Sequence, residues 1–207
     1  LLEQSPEYVL AWASGTPPRA RDRLRRLGVE VVVFEPSKLE GIAAALRRIG
    51  DLAQTKTAAN QAAERFEAKL KALRARHQGA APVRYFYQVS NEPLYTLNGQ
   101  HLASQGLSIC GGVNVFAELP TLAPQVGVEA VVAAAPEAII AGVSEQQSKT
   151  PLARWRDWDT IPAVSADNLF RIEPDTLVRQ TPRILDGIDK VCGLLDKARQ
   201  GLTRDAD

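Results

Sequence analysis

Apolar residues recur at three- and four-residue steps through Thr57–Gly79, where Ala59, Ala62, Ala63, Phe66, Leu70 and Leu73 line up and charged residues fill the gaps. That spacing predicts an amphipathic helix with one apolar stripe. Thr57 is placed to cap its start and Gly79 to end it, while Lys71, Arg74 and Arg76 sit where cations favour the helix dipole. At about 1.5 Å per residue such a helix is roughly 33 Å long. The chain on either side of it is built alike.

Upstream, YVLAW at residues 8–12 predicts a short buried strand, and Thr16-Pro17-Pro18 opens a helix over Arg19–Leu27 that Gly28 stops. Val29–Glu35 predicts a second strand, its valine run typical of a parallel sheet covered on both faces. Pro36-Ser37 opens a helix over Lys38–Leu52 with Leu39, Ile42, Leu46 and Ile49 on one face. Downstream, the aromatic run Val83–Val89 predicts a strand leading into the turn Ser90–Pro93, and residues 94–97 predict a short strand before Asn98-Gly99. A helix over Leu102–Ile109 ends at Cys110-Gly111-Gly112, and a loop holding Pro120 and Pro124 precedes a helix over Val128–Ala135. Glu137–Val143 then predicts a strand, Pro151–Trp158 a short helix, Asn168–Ile172 a strand, and Thr181-Pro182 the start of a last helix running to about Arg199. Strands alternating with helices predict an α/β fold with mainly parallel sheets.

The two flanks also echo each other. LLEQSPEYVLAW at 1–12 parallels VVAAAPEAIIAG at 131–142, and Thr16-Pro17 and Thr150-Pro151 each open the next helix. The organisation expected is two Rossmann-like lobes, 1–56 and 80–207, joined by one linking helix over 57–79. The first lobe is short of material, so a preceding βαβ segment is expected to be missing from it. With Leu1 first and no methionine anywhere, the chain reads as a processed product or a fragment.

Composition narrows the function classes. The 207 residues are 45% hydrophobic and 24% charged with a net charge of +1, the balance of a soluble globular protein. No basic excess argues for nucleic acid, no amphipathic basic helix argues for a membrane surface, and no apolar run of about 18 residues is present to span a bilayer. Cys110 and Cys192 lie 82 residues apart without CxxC spacing; free buried thiols and a disulfide both remain open on composition. His77 and His101 stand alone, so no metal site is assigned. His77 reads as a solvated residue at the end of the long helix and His101 as a residue at a helix start. No GxSxG, P-loop, GxGxxG or HExxH motif occurs, so no catalytic residue and no cofactor are assigned. Gly111-Gly112 follows a helix instead of preceding one, which makes it a helix end and not a phosphate cradle.

Binding is the better-supported class. In parallel α/β sheets ligands lie beyond the carboxyl ends of the strands. Trp12, Tyr87–Asn91, Gly142–Ser144 and Pro174–Arg179 fall at such ends. Trp12 serves either as core or as a ligand face. With Tyr87, Tyr95 and the loop Leu119–Val126 it would line a cleft of flat apolar surface with a few polar groups, suited to a bulky, planar, partly apolar ligand.

The runs YVLAWASG, ICGGVNVFAELPTLAPQVGVEAVVAAAPEAIIAG and PDTLVRQTPRILDGIDKVC resemble the periplasmic cobalamin-binding proteins of ABC importers. More broadly they resemble the helix-linked substrate-binding proteins, which also handle iron siderophores and haem. The resemblance covers the whole chain and implies ligand capture in a cleft between two lobes, in a periplasmic monomer that neither binds nucleic acid nor spans a membrane. It implies corrinoid contacts from Trp12, Tyr95, Asp175 and Arg179, with Val89 and Ala123 standing where some cobalamin binders carry aromatics; Tyr87 and Pro124, from the strand-end and loop reading, complete the expected ligand set. It implies that Cys110 and Cys192 form a disulfide, and that Glu129 docks on arginines of the importer's membrane subunits. Carrying the internal echo back from Glu129 places a counterpart just ahead of Leu1. A siderophore or haem carrier of the same fold, and an α/β enzyme related to metal chelatases, are the alternatives; the second lacks a histidine–carboxylate cluster.

Overall fold

The computed structural model of the protein describes residues 6–143 and 151–204, so Ser144, Thr150 and the first five residues of the internal echo lie outside the described residues. In chain order the elements are β1 (Tyr8–Trp12), α1 (Pro18–Arg26), β2 (Glu30–Phe34), α2 (Glu40–Leu52), α3 (Lys56–Arg76), β3 (Val83–Gln88), α4 (Leu102–Ser108), β4 (Gly112–Asn114) and α5 (Val128–Ala134). There follow β5 (Ala138–Gly142), one turn of 3-10 helix (Ala153–Asp157), α6 (Pro162–Ser165), β6 (Leu169–Ile172), α7 (Asp175–Val178) and α8 (Ile184–Arg204). The chain divides into two compact units, Leu1–Arg65 and Phe66–Asp207, with the division falling inside α3.

In the first unit β1 and β2 pair in parallel, Tyr8 opposite Glu30 and Trp12 opposite Phe34. A parallel pair needs a crossover, and α1 supplies it. Pro18 occupies the first helical turn of α1, where its missing N–H costs nothing. β1 was expected to be buried, yet only Ala11 is; Tyr8 and Leu10 are exposed among the described residues. α2 buries Ile42, Ala43 and Gly50, and Gly50 is where α3 begins to pack, since a Cβ there would overlap the Ala59 methyl.

α3 contributes Phe66, Leu70 and Leu73 to the second unit, all buried and all on the predicted stripe. Two boundary expectations change. Thr57 lies inside the helix, which already starts at Lys56, and the helix stops at Arg76. Gly79 is nonetheless the residue that turns the chain, with φ +77°, a left-handed conformation that glycine adopts freely.

The second unit is a four-stranded parallel sheet in the order β4-β3-β5-β6. Side chains alternate between two covered faces. On one face Phe86, Ile139 and Ala141 pack with Leu94, Val131, Leu152, Trp155 and Ile161. The Phe86 ring meets Phe116 and Trp155 edge-on at 5.7 and 5.6 Å. Tyr85, Tyr87 and Ile140 alternate to the opposite face and are buried there too. α8 packs against β3, β6, α4 and α7. It buries Ile184, Leu185, Ile188, Val191, Cys192, Leu195 and Ala198, a helical stripe. Exposed ion pairs Lys69–Asp186 and Arg76–Asp189 link α3 to α8 and, being exposed, contribute little.

The expected disulfide is present: Cys110, two residues after α4, is joined to Cys192 in α8 across a Cα separation of 5.5 Å. Closing 82 residues of chain stabilises the fold by about 4.5 kcal/mol in the loop-entropy picture. Beside it, Arg199 donates to the carbonyls of Cys110 and Ala81. Gly111 turns the chain there at φ +76°, with the Ala80 and Ala81 carbonyls 2.8 Å from where a Cβ would stand. Glycine is therefore required on two counts, and the reading of Gly111-Gly112 as a helix end holds. β4 was not expected; Gly112 begins it directly.

Residues 94–97 were expected to form a strand. They make only isolated bridges through Tyr95, to Ser90 and to Gln125, because the segment runs between two turns and meets no continuous partner. Pro151–Trp158 was expected to be a helix and forms a single 3-10 turn.

A candidate ligand site at the carboxyl edge of the parallel strands

The strand order reverses direction between β3 and β5, with β4 placed on one side of β3 and β5 on the other. Such a switch point splays the connections that leave the carboxyl ends and opens space beyond them. Here those ends are Gln88–Val89 from β3 and Gly142–Val143 from β5, with Glu173–Asp175 beyond β6.

The chain after β3 is tied back on itself by main-chain hydrogen bonds. Val89 N–H donates to the Tyr95 carbonyl at 2.8 Å, Thr96 N–H to Pro124 at 3.0 Å, and Val126 N–H to Leu94 at 3.0 Å. Asn98 adds side-chain and main-chain bonds to Leu119 and Leu122. Two separate stretches, one with Val89 and Tyr95 and one with Ala123 and Pro124, therefore share one ribbon at the carboxyl edge. Val89 and Ala123 are exposed and Tyr95 is partly exposed, whereas Pro124 is buried. Pro124 supports the ribbon and offers no surface to a ligand.

Tyr87 also departs from its expected role. It is buried to 1% because both faces of β3 are covered, as Phe86 and Gln88 on either side of it also show. Its hydroxyl would lie 2.7 Å from a Cβ at position 142, so Gly142 leaves it room beneath Pro174. That hydroxyl has no hydrogen-bond partner among the described residues, and burial pushes its pKa well above the usual tyrosine value. Tyr87 acts from below the edge.

α7 carries the polar pair. Asp175 and Arg179, four residues apart, form an exposed ion pair at 2.6 Å that holds the guanidinium in place and raises its pKa. Glu129 stands exposed in the first turn of α5, where a carboxylate meets unpaired N–H groups. In the first unit, Trp12 ends β1. Its N–H donates to the Thr16 hydroxyl at 3.1 Å and its carbonyl accepts from Thr16 N–H at 2.8 Å, which fixes the backbone while the side chain stays partly exposed.

Sequence reasoning missed a buried polar network. Trp155 donates its indole N–H to Gln88 Oε1 at 2.7 Å, and Gln88 Nε2 donates to the Pro151 carbonyl at 3.0 Å. Arg154 reaches the Asn91 carbonyl at 2.8 Å and Asn91 Oδ1 at 3.0 Å. Together these clamp the 3-10 turn onto the end of β3. The one hint was a glutamine closing an apolar strand, and nothing in its spacing points 67 residues ahead. The histidines are structural. His101 caps α4, its Nδ1 accepting from Ala103 N–H at 3.1 Å, and burial lowers its pKa. His77 is half-buried and its Nε2 lacks a partner among the described residues, so it is not the solvated residue expected. Among the described residues no cluster of metal-ligating side chains occurs.

Comparison with known proteins follows the same lines. The family described as periplasmic binding protein matches residues 1–176. A vitamin B12-binding protein of Vibrio cholerae serotype O1 is 33% identical over 201 residues, covering 97% of this chain and 72% of that protein. The crystal structure of a periplasmic vitamin B12 binding protein of Vibrio cholerae superposes with a TM-score of 0.86 at 34% identity, over 96% of this chain and 77% of that one. A periplasmic heme-binding protein in complex with two hemes superposes at 0.82 but with 21% identity, over 95% of this chain and 77% of that one, a likeness of fold alone.

Proposed function

The chain belongs to the periplasmic binding protein family, and from that footing we propose that it captures cobalamin or a related corrinoid and delivers it to an ABC importer. The observation that carries this reading is the identity to vitamin B12-binding proteins along nearly the full chain, which the similarity to heme binders does not approach. The family is one of substrate-binding proteins. The protein works as a monomer in the periplasm, and its disulfide suits an oxidising compartment.

The chemistry of the site agrees. A corrin is a flat, largely apolar macrocycle fringed with amides. In the first unit Trp12 offers an aromatic face; in the second, Tyr95 offers one with a hydroxyl, and Val89 and Ala123 offer small apolar surface. Asp175 and Arg179 supply a paired acceptor and donor for peripheral amides without adding net charge. Tyr87, Pro124 and the Gln88–Trp155 network support the groups of the second unit from beneath. α3 joins the two lobes as the linking helix.

Delivery rests on Glu129. An exposed carboxylate of this kind orients docking on a basic membrane subunit, an effect that weakens as salt rises. In proteoliposomes holding the importer, the wild-type protein is expected to drive cobalamin uptake, and Glu129→Arg to abolish most of it while binding cobalamin as tightly as before. Uptake undiminished by Glu129→Arg assigns Glu129 to the helix start alone, and no uptake with the wild type overturns the delivery reading.

A further inference from the structure

α1 carries five arginines and one aspartate in nine residues, and buries none of them. Without that helix the chain holds 20 basic and 23 acidic residues, so α1 alone makes the protein net positive. Its half-buried residues are Arg21 and Leu24, which mark the side packed toward β2. At about 100° per residue, Arg19, Arg23 and Arg26 fall within an arc of roughly 60° on the opposite side, along about 10 Å of helix. All three are exposed, and no ion pair is formed by any of them among the described residues; only Arg25 pairs, with Asp22 at 3.2 Å.

Only part of this arrangement serves the helix that bears it: Arg23 and Arg26 lie in the last turn, where cations suit the dipole. Arg19 sits in the first turn, where the dipole favours acids and none is present. Arg19 and Arg23, then Arg23 and Arg26, repel each other at helical spacing. The stripe forms no ion pair within the unit among the described residues, so its charge is free to meet an anionic surface outside it. We propose that the Arg19–Arg23–Arg26 face of α1 docks on the anionic phospholipid surface of the membrane, placing the protein on the plane where delivery occurs.

The features favour a bilayer over an acidic protein. A protein interface needs a desolvated aromatic or aliphatic anchor seated in a pocket, and the stripe holds none; its apolar neighbour Leu27 is exposed to 50%. A lipid surface requires only clustered cations, with an apolar side chain able to enter the headgroup layer. Every cation of the helix is arginine, whose planar fork binds phosphate oxygens in pairs. No helix among the described residues is long and apolar enough to cross a membrane, so the contact is peripheral. The inference does not depend on which ligand is carried.

The test is co-sedimentation of the ligand-free protein with vesicles of phosphatidylcholine alone and of equimolar phosphatidylcholine and phosphatidylglycerol, at low and raised salt. The wild type is expected to bind the anionic vesicles only, and to release as salt rises. The triple variant Arg19→Gln, Arg23→Gln, Arg26→Gln should bind on the order of 100-fold more weakly. A second variant, Lys71→Gln, Lys190→Gln, Lys197→Gln, removes as much charge from exposed positions elsewhere and should retain binding. Glutamine keeps the exposed helix, and an unchanged circular dichroism spectrum checks that it has. Equal binding by the wild type and the α1 variant, equal losses from both variants, or binding to neutral vesicles overturns the proposal. So does a wild type that ignores vesicles but loses detergent-solubilised importer when α1 is neutralised, which would assign the stripe to an acidic protein surface.

Discussion

His101 holds the start of α4 with its ring, and that makes the helix answer to pH. The Nδ1 atom accepts from Ala103 N–H, which only the neutral ring can do. Burial lowers the pKa below its ordinary value of 6.5. The unfolded chain therefore takes up this proton first. The stability contributed by the neutral ring is fully present above about 6.5 and is lost as pH falls toward the folded pKa. Thermal melts of the wild type are expected to lose stability over that range, whereas His101→Asn, which caps without titrating, should lose less. Parallel curves for the two proteins would remove His101 as the cause. At this scale the sequence spoke unevenly. Trp12 was expected at the end of β1 and stands there, partly exposed. Tyr87 is enclosed because both faces of β3 are covered, which the strand's own residues do not announce. The Gln88–Trp155 bond was illegible, since nothing local ties a glutamine to a tryptophan in another segment.

Elements with long periodic patterns were read to within about three residues at their ends; α2 and α3 are examples. α6 and α7 were not foreseen, because four residues make a single turn and carry no period. β4 is three residues long and starts on a glycine already assigned to the helix end. α8 shows what close packing demands of a helix. A Cβ on Gly187 would overlap the Thr176 carbonyl of α7, whereas a Cβ on Gly193, in the same helix, meets nothing within 4 Å. The same substitution should therefore act with opposite signs. Gly187→Ala is expected to destabilise by about 1–3 kcal/mol through overpacking. Gly193→Ala should stabilise by about 0.5–1 kcal/mol, since alanine loses less backbone freedom in a helix. Denaturant unfolding of both variants decides it, and like signs would contradict the packing described. The helix α1 was likewise legible as a helix, but the overall charge of +1 concealed its arginine stripe, which the expectation of no amphipathic basic helix overlooked.

For the molecule as a whole, alternating strands and helices sufficed to predict parallel α/β construction, and the second unit has it throughout. The strand order was not foreseen, because periodicity carries no information on which strands are neighbours. That order places the switch point between β3 and β5, and with it the ribbon bearing Val89, Tyr95 and Ala123. The central claim is that this protein carries a corrinoid, and isothermal titration calorimetry tests it most directly. Cyanocobalamin, haem and a ferric siderophore are titrated separately into the wild type and into Trp12→Ala. Cobalamin is expected to bind the wild type one-to-one and far more tightly than the other two. Trp12→Ala should lose about 1–3 kcal/mol of that binding, the worth of one large aromatic face. Tight binding of haem or the siderophore with no heat from cobalamin would contradict the account.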